Sequence, residues 1–312
     1  MDYFSICAIL KEYRKRAGLS QAALCEGLCE LPTMNKIENG KQNPNKKLLD
    51  ALIERLQIPL ALNIAISKIE FERAIIEKEI SSKLSHNDCD INDLLRQYKS
   101  VSSEMNKFEL QFYLYSHAVF IYNTEKNYKV ALDELNKSIK ITFPNYTNEA
   151  NFDNHIFTSL EFLILNNIAI CTYFTKDFDK AISLMKKIMV SLEARKNFTD
   201  IYAKKYPMIA YNLSTWLGIK KHYAESLEVS QKGIDCCLKY QQYSSISDLF
   251  YNHGYTFMML GEKEKGKEFL KKSLAFDSIF DRKKFIDSAK SDIIKSFGTI
   301  FLSDLQNFKI PL

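Results

Sequence analysis

Only six prolines and nine glycines occur in 312 residues, with a single tryptophan. So few breakers, with 46% of residues hydrophobic, exclude a mostly disordered chain. With abundant Leu, Ile, Lys and Glu they favour helices. No apolar run is long and clean enough to span a bilayer. The most apolar, Phe157 to Phe174, holds Glu161, Asn166 and Asn167 and reads as a buried helix. Asp2 and an early Lys/Arg cluster do not make a secretory leader. Seven cysteines, an odd number, read as reduced thiols of a cytoplasmic protein. Cys25-x3-Cys29 and Cys236-Cys237 lack His or Cys partners at zinc spacing, so they read as small core residues and no metal is expected. Phosphate-cradling loops, HExxH and GxSxG are all missing, and the five histidines are scattered. Neither an enzyme nor a cofactor is expected, because catalysis needs convergent groups.

What is present is a long, helix-forming chain, 46% hydrophobic, with room for two domains and a net charge of +5. That charge permits a nucleic-acid partner without arguing for one. Phe4 to Ala17 reads as a first helix, apolar at Phe4, Cys7, Ala8, Leu10 and Tyr13, and basic at Lys11, Arg14, Lys15 and Arg16. Gly18 stops it. Leu19 to Gly40, LSQAALCEGLCELPTMNKIENG, then reads as two short helices and a turn. Ser20 can cap the first. Ala23, Leu24 and Leu28 give it an apolar stripe, and Met34 and Ile37 do the same for the second. Pro32 suits a first helical turn. Gly40 can take positive φ past the helix end. A helix, turn and helix in about 22 residues is the size of a major-groove reader.

LSQxxL, the turn and KIENGKQNP resemble the Cro-repressor (XRE) helix-turn-helix. The shortened connection containing Cys29 is similar to that of the peptide-sensing Rgg/PlcR group, the RRNPP family. The resemblance implies that Gln21 contacts phosphate or a base edge. It places Leu31, Pro32, Thr33 and Lys36 on the groove-facing side of the recognition helix, and Asn39, Lys41 and Asn43 against the DNA backbone. Leu31 and Pro32 stand where the family often has polar base readers, so thymine-methyl contact or DNA shape carries more of the expected readout.

Lys46 to Leu56 reads as the helix that closes a domain over residues 1–65, and Pro59 marks its exit. Residues 66–104 read as a linker helix, from the Leu60 to Leu84 pattern, a break at Ser85 to Asp88, and a helix from Ile91 to Val101. From residue 105 to 312 the chain repeats itself. Four segments align on Ala131, Ala181, Ser226 and Gly266, and twelve residues earlier stand Val119, Ala169, Ser214 and Gly254. Small or slim residues at both places let paired helices approach closely. The pattern resembles tetratricopeptide repeats, although the anchors lie 50, 45 and 40 residues apart by subtraction. Phe276 to Leu305 reads as helical again, a terminal cap. The implied fold is all-α: a helix-turn-helix domain, a linker helix and a right-handed tetratricopeptide-like solenoid.

Fourteen residues before each anchor stand His117, Asn167, Asn212 and Asn252. In a tetratricopeptide hairpin this position faces the concave groove, so the resemblance implies a ladder of amides there. An Asn amide can pair with a peptide bond whatever the peptide's side chains. Asn166, Tyr173, Tyr211, Tyr251 and Tyr255 flank the ladder and can form pockets. The other reading of these Asn is structural, as caps or cross-links between helices. Together the features imply a cytoplasmic, homodimeric transcription regulator. It would bind double-stranded DNA at a near two-fold operator and answer to a short signalling peptide, as in quorum sensing, with no membrane partner. The competing reading is a DNA-bound repressor or scaffold whose repeats hold a protein.

Overall fold

The computed structural model describes residues 3–56, 58, 68–85, 88, 90–101, 104–147, 152, 155–194 and 199–298; among them every regular element is a helix. The chain divides into two compact units, Met1–Leu184 and Met185–Leu312.

The first unit begins with α1 (Tyr3–Arg16), α2 (Gln21–Cys25), α3 (Leu31–Glu38) and α4 (Lys46–Leu56). Each boundary has a local cause. Gly18 and Gly40 sit at φ +68 and +67, past the ends of α1 and α3, where a Cβ would strain the backbone. The Ser20 hydroxyl accepts the Ala23 amide, and Pro32 occupies the first turn of α3. Cys7, Leu10, Leu24, Leu28, Met34, Ile37, Leu49 and Leu52 close one small core. Cys25 belongs to the same core with its thiol pushed up by burial, as expected of a packing cysteine.

A long helix, α5 (Lys68–Ser85), and α6 (Asn92–Ser100) follow. The Leu60 to Leu84 helix expected from the sequence is observed from Lys68; residues 59–67 lie outside the described residues, as do His86 and Asn87 in the break. Buried Arg73 anchors α5 by pairing with Glu109 and donating to the Glu104 carbonyl at 2.8 Å.

The repeats begin with α7 (Lys107–Phe120), α8 (Tyr128–Thr142) and α9 (Ser159–Phe174), and α10 (Phe178–Glu193) spans the boundary between units. Asn106 with Glu109, and Thr158 with Glu161, form capping boxes at the starts of α7 and α9. The second unit continues with α11 (Thr199–Ile219), α12 (Tyr223–Tyr240), α13 (Ile246–Met259), α14 (Lys263–Ile279) and α15 (Lys283–Phe297).

The small positions touch as the repeat register demands. A Cβ on Gly254 would lie 2.9 Å from the Gly266 carbonyl oxygen, and the Ser226 hydroxyl donates to the Ser214 carbonyl at 2.8 Å. One feature of the turns is absent from glycine counting. Lys126, Lys176, Lys221 and Gly261 all have positive φ, each five residues before its anchor. Asp281, at φ 51, repeats the device between α14 and α15. The stretch from Phe276 to Leu305, expected to be helical, begins in the last turn of α14, which ends at Ile279, and resumes in α15 from Lys283. Residues 299–312 lie outside the described residues.

The helix-turn-helix also packs against the first repeats. Gly27, in the turn between α2 and α3, lies so close to α8 that a Cβ would fall 1.6 Å from the Thr142 carbonyl oxygen. Lys107 donates to the Gly27 carbonyl at 2.6 Å, Glu54 accepts the Ser159 amide at 2.8 Å, and Phe108 packs on the helix-turn-helix core. Buried Arg55 donates to the carbonyls of Leu24 and Glu26 and stands 3.9 Å from Glu161.

Candidate functional site

The outer face of α3 is built by the core beneath it. Met34 and Ile37 are fully buried, which turns Leu31, Pro32 and Lys36 to solvent, with Leu31 47% exposed. Thr33 is half-buried beside them. Lys41 and Asn43 are exposed in the loop after Gly40. Asn39 is partly committed: its amide donates to Asn35 Oδ1 at 2.7 Å and to the Asn35 carbonyl, and it accepts Lys11 Nζ at 3.2 Å.

Gln21 has a second duty. Its Nε2 donates to Glu38 Oε2 at 2.7 Å, and Arg14 grips the same carboxylate through Nε at 2.5 Å and Nη2 at 2.8 Å. Glu38 ends α3, so the triad fixes α1, α2 and α3 in one frame. Burial alone would raise the Glu38 pKa; the bonds from Arg14 and Gln21 and the charges of Arg14 and Lys11 outweigh it and hold it below the usual range.

In the first unit the predicted ladder residues are engaged by their neighbours. His117 lies between the rings of Tyr113 and Phe120, with Nδ1 2.7 Å from Glu134 Oε2. Asn167 is 5% exposed, accepts the Tyr122 hydroxyl at 2.6 Å and donates to the Leu163 carbonyl. Asn166 is buried as well. Tyr173 stands edge-on to Phe174 and Phe178.

In the second unit Asn252 Nδ2 reaches Thr215 Oγ1 at 2.5 Å, Ser214 Oγ at 3.2 Å and the Tyr211 carbonyl at 3.2 Å. That amide ties α13 to α11. Asn212 and Tyr211 are half-buried on α11, and burial raises the Tyr211 pKa. Tyr251 and Tyr255 lie 6.0 Å apart, and α15 reaches them: Phe297 packs 5.3 Å from the Tyr255 ring, and the Tyr255 and Ser296 hydroxyls meet at 3.1 Å.

Sequence reasoning missed the polar centre under the helix-turn-helix. Glu161 is fully buried; it accepts the Thr142 hydroxyl, His155 Nε2 and the Thr158 amide at 2.7, 3.0 and 2.6 Å. Burial pushes its pKa up, but His155, Arg55 and the Thr158 amide together bring it down to about 2. The T-x-x-E pattern at Thr158 was a readable cue to the cap, and nothing local marked Arg55 or His155 as its company.

Among the described residues no group of His, Cys, Asp and Glu could hold a metal, and no helix is long and apolar enough to cross a membrane. Comparison with known proteins places these features together. The helix-turn-helix family matches residues 10–63, and the RNPP family C-terminal domain matches residues 93–287. No curated protein sequence matches the chain. Bacillus thuringiensis PlcR, solved in complex with the peptide PapR7 and DNA, aligns with a TM-score of 0.58 at 21% identity, over 91% of this chain and 98% of that one. Its apo form gives 0.58 at 18% identity, over 93% and 99%. ComR from S. thermophilus, solved with DNA and its signalling peptide ComS, gives 0.49 at 16% identity, over 93% and 99%. At these identities the two PlcR structures speak for the fold, whereas the family's C-terminal domain matches more than half of the sequence: the chain belongs to the RNPP family of peptide-sensing transcription regulators.

Proposed function

We propose that this chain is a DNA-binding transcription regulator that works as a homodimer in the cytoplasm, with α3 as its output and a short signalling peptide as its input. The carrying observation is the union, in one chain, of an exposed α3 face on a helix-turn-helix and the RNPP C-terminal domain. PlcR, crystallised with both a peptide and DNA, supports the same division of labour. Leu31, Pro32, Thr33 and Lys36 enter the major groove. Gln21 keeps the second hydrogen of its Nε2 for a phosphate and its carbonyl oxygen for a donor on a base edge, and Lys41 and Asn43 meet phosphates. Asn39 reaches a phosphate only by releasing an Nδ2 hydrogen from Asn35.

On the input side the ladder divides. Asn167 and Asn252 also bond neighbouring helices, through Tyr122 and Thr215. Asn212, half-buried beside Tyr211, is the position assigned to pairing with peptide backbone. Peptide acts by binding one arrangement of the dimer better than another, since a ligand shifts an equilibrium only through differential affinity.

The test is mass spectrometry of what co-purifies with the protein from its native host, paired with sequencing of the genomic DNA fragments it retains. A bound peptide of about five to ten residues, together with enrichment of a near two-fold site, is expected. That length follows from three or four repeats spaced about 10 Å apart and an advance of about 3.3 Å per extended residue. A stoichiometric protein partner without peptide would replace this reading by the scaffold one.

A further inference from the structure

A cavity of about 300 Å³ opens in the second unit between the end of α10, the first two turns of α11 and the second half of α12. It lies more than one turn N-terminal to Tyr211 and Asn212 on α11, away from the positions assigned to peptide. Three tyrosines line it. Tyr202 is the centre, 4.7 Å from the Tyr206 ring and 5.7 Å edge-on to Tyr240. Tyr206 is buried and donates its hydroxyl to Glu193 Oε1 at 2.7 Å. Cys236 completes the wall; burial holds its thiol up at about 11, so it is a neutral packing group and not a nucleophile.

The remaining lining carries both signs of charge. Asp235 and Glu193 supply carboxylates, and Lys232 and Lys239 supply ammonium groups. Lys232 already pairs with Glu228 at 2.8 Å and sits 4.0 Å from Glu193. Lys239 is exposed over the Tyr240 ring at 5.1 Å, with no carboxylate partner among the described residues. Asp235 is exposed and accepts only the Gln231 amide among the described residues, at 2.8 Å. A purely anionic guest would face Asp235 and Glu193, and a purely cationic one would face both lysines. A guest bearing both signs on an aromatic body meets neither conflict: its ring packs on Tyr202 and Tyr240, its carboxylate meets Lys239 and its ammonium meets Asp235. The volume lies at the small end of ligand sites and suits one amino acid.

We propose that this cavity is a second ligand site, specific for a free zwitterionic amino acid with an aromatic side chain. It follows that the regulator has a metabolite input separate from its peptide.

Calorimetric titration of the full-length protein with L-phenylalanine tests this, beside phenethylamine, 3-phenylpropionate, glycine and glycyl-phenylalanine. Saturable binding of L-phenylalanine is expected. Each singly charged analogue and glycine should bind about tenfold more weakly or worse, the scale of one charged hydrogen bond. Lys239→Ala and Asp235→Asn, both at exposed positions and expected to leave the melting temperature unaltered, should each lose a similar factor. No binding at millimolar L-phenylalanine overturns the proposal, as does equal binding of a singly charged analogue or undiminished affinity in both variants. Tighter binding of glycyl-phenylalanine than of the free amino acid would overturn the assignment to a free metabolite. None of these readouts depends on DNA or on the signalling peptide.

Discussion

Glu38 illustrates what a single carboxylate decides. It is buried at the end of the reader helix, and both Arg14 and Gln21 are committed to it. Removing one partner of a buried pair leaves the other charge stranded, at a cost of about 3 kcal/mol. Glu38→Ala should lower stability by that order in urea titration. The Glu38→Ala, Arg14→Ala double variant should recover part of the loss, and a strictly additive double variant would show that the pair is not coupled. Two asparagines at equivalent repeat positions should part company. Asn252→Ala removes an amide that bonds three groups of α11, so it should cost about 1–2 kcal/mol. Asn212→Ala should abolish the response to peptide while basal DNA binding persists. Unchanged calorimetric affinity for the cognate peptide would refute that role. The register of these residues was legible in the sequence. Their partners were not, because Tyr122 lies 45 residues from Asn167 and Thr215 lies 37 from Asn252.

At the scale of the helix and hairpin, local chemistry was the readable part. The Ser20 cap, Pro32, Gly18 and Gly40 act within a few residues, so the helix-turn-helix could be drawn from the sequence alone. Paired small residues likewise revealed the repeats, because helix approach is limited by what stands at the crossing. The α14–α15 break escaped because Asp281 takes positive φ without being glycine. The crossings offer a clean comparison. In Gly254→Ala the new methyl would meet the backbone of Gly266 and Leu270 at 2.9 Å, so about 1–3 kcal/mol of destabilisation is expected from overpacking. Gly218→Ala meets nothing closer than Ser226 Oγ at 3.5 Å. There helix propensity decides, and the change should be neutral or stabilising by up to about 1 kcal/mol. Thermal melts of the two variants give the sign directly.

For the whole molecule, acid and salt are the informative variables. His253 is buried and bonded to Ser230, and burial pushes its pKa down to about 4. A folded-state value below the unfolded one makes its contribution complete above about 6.5 and lost as pH falls toward 4. Glu161, brought down to about 2, has the same sign in a lower window: its contribution is complete above the ordinary carboxylate range and lost as pH falls toward 2. Acid unfolding should therefore proceed in two stages, the second unit first. His253→Gln should flatten the fall in melting temperature between pH 6.5 and 4 and leave the lower stage in place. A single unchanged transition would contradict the order. DNA affinity should fall steeply with salt, since each Lys or Arg contact to phosphate releases counterions. Lys41→Ala should reduce the slope of log K against log salt by about 1, and an unaltered slope would remove Lys41 from the phosphate contacts.

The contact of Gly27 with Thr142 bears on how such regulators can be recombined. DNA-binding heads are often pictured as interchangeable beads on a sensor. Here a graft would have to bring a glycine at position 27, to clear the α8 carbonyl, and an arginine at position 55, to face Glu161. A foreign head with any side chain at the first position would be held off the repeats, and one without the second would leave a carboxylate buried beside an empty socket. Chimaeras that exchange operator specificity should keep these two residues and vary only the outward surface of α3. The seam between reader and first repeats is thus one physical unit, to be carried whole into any chimaera whatever reading face α3 presents.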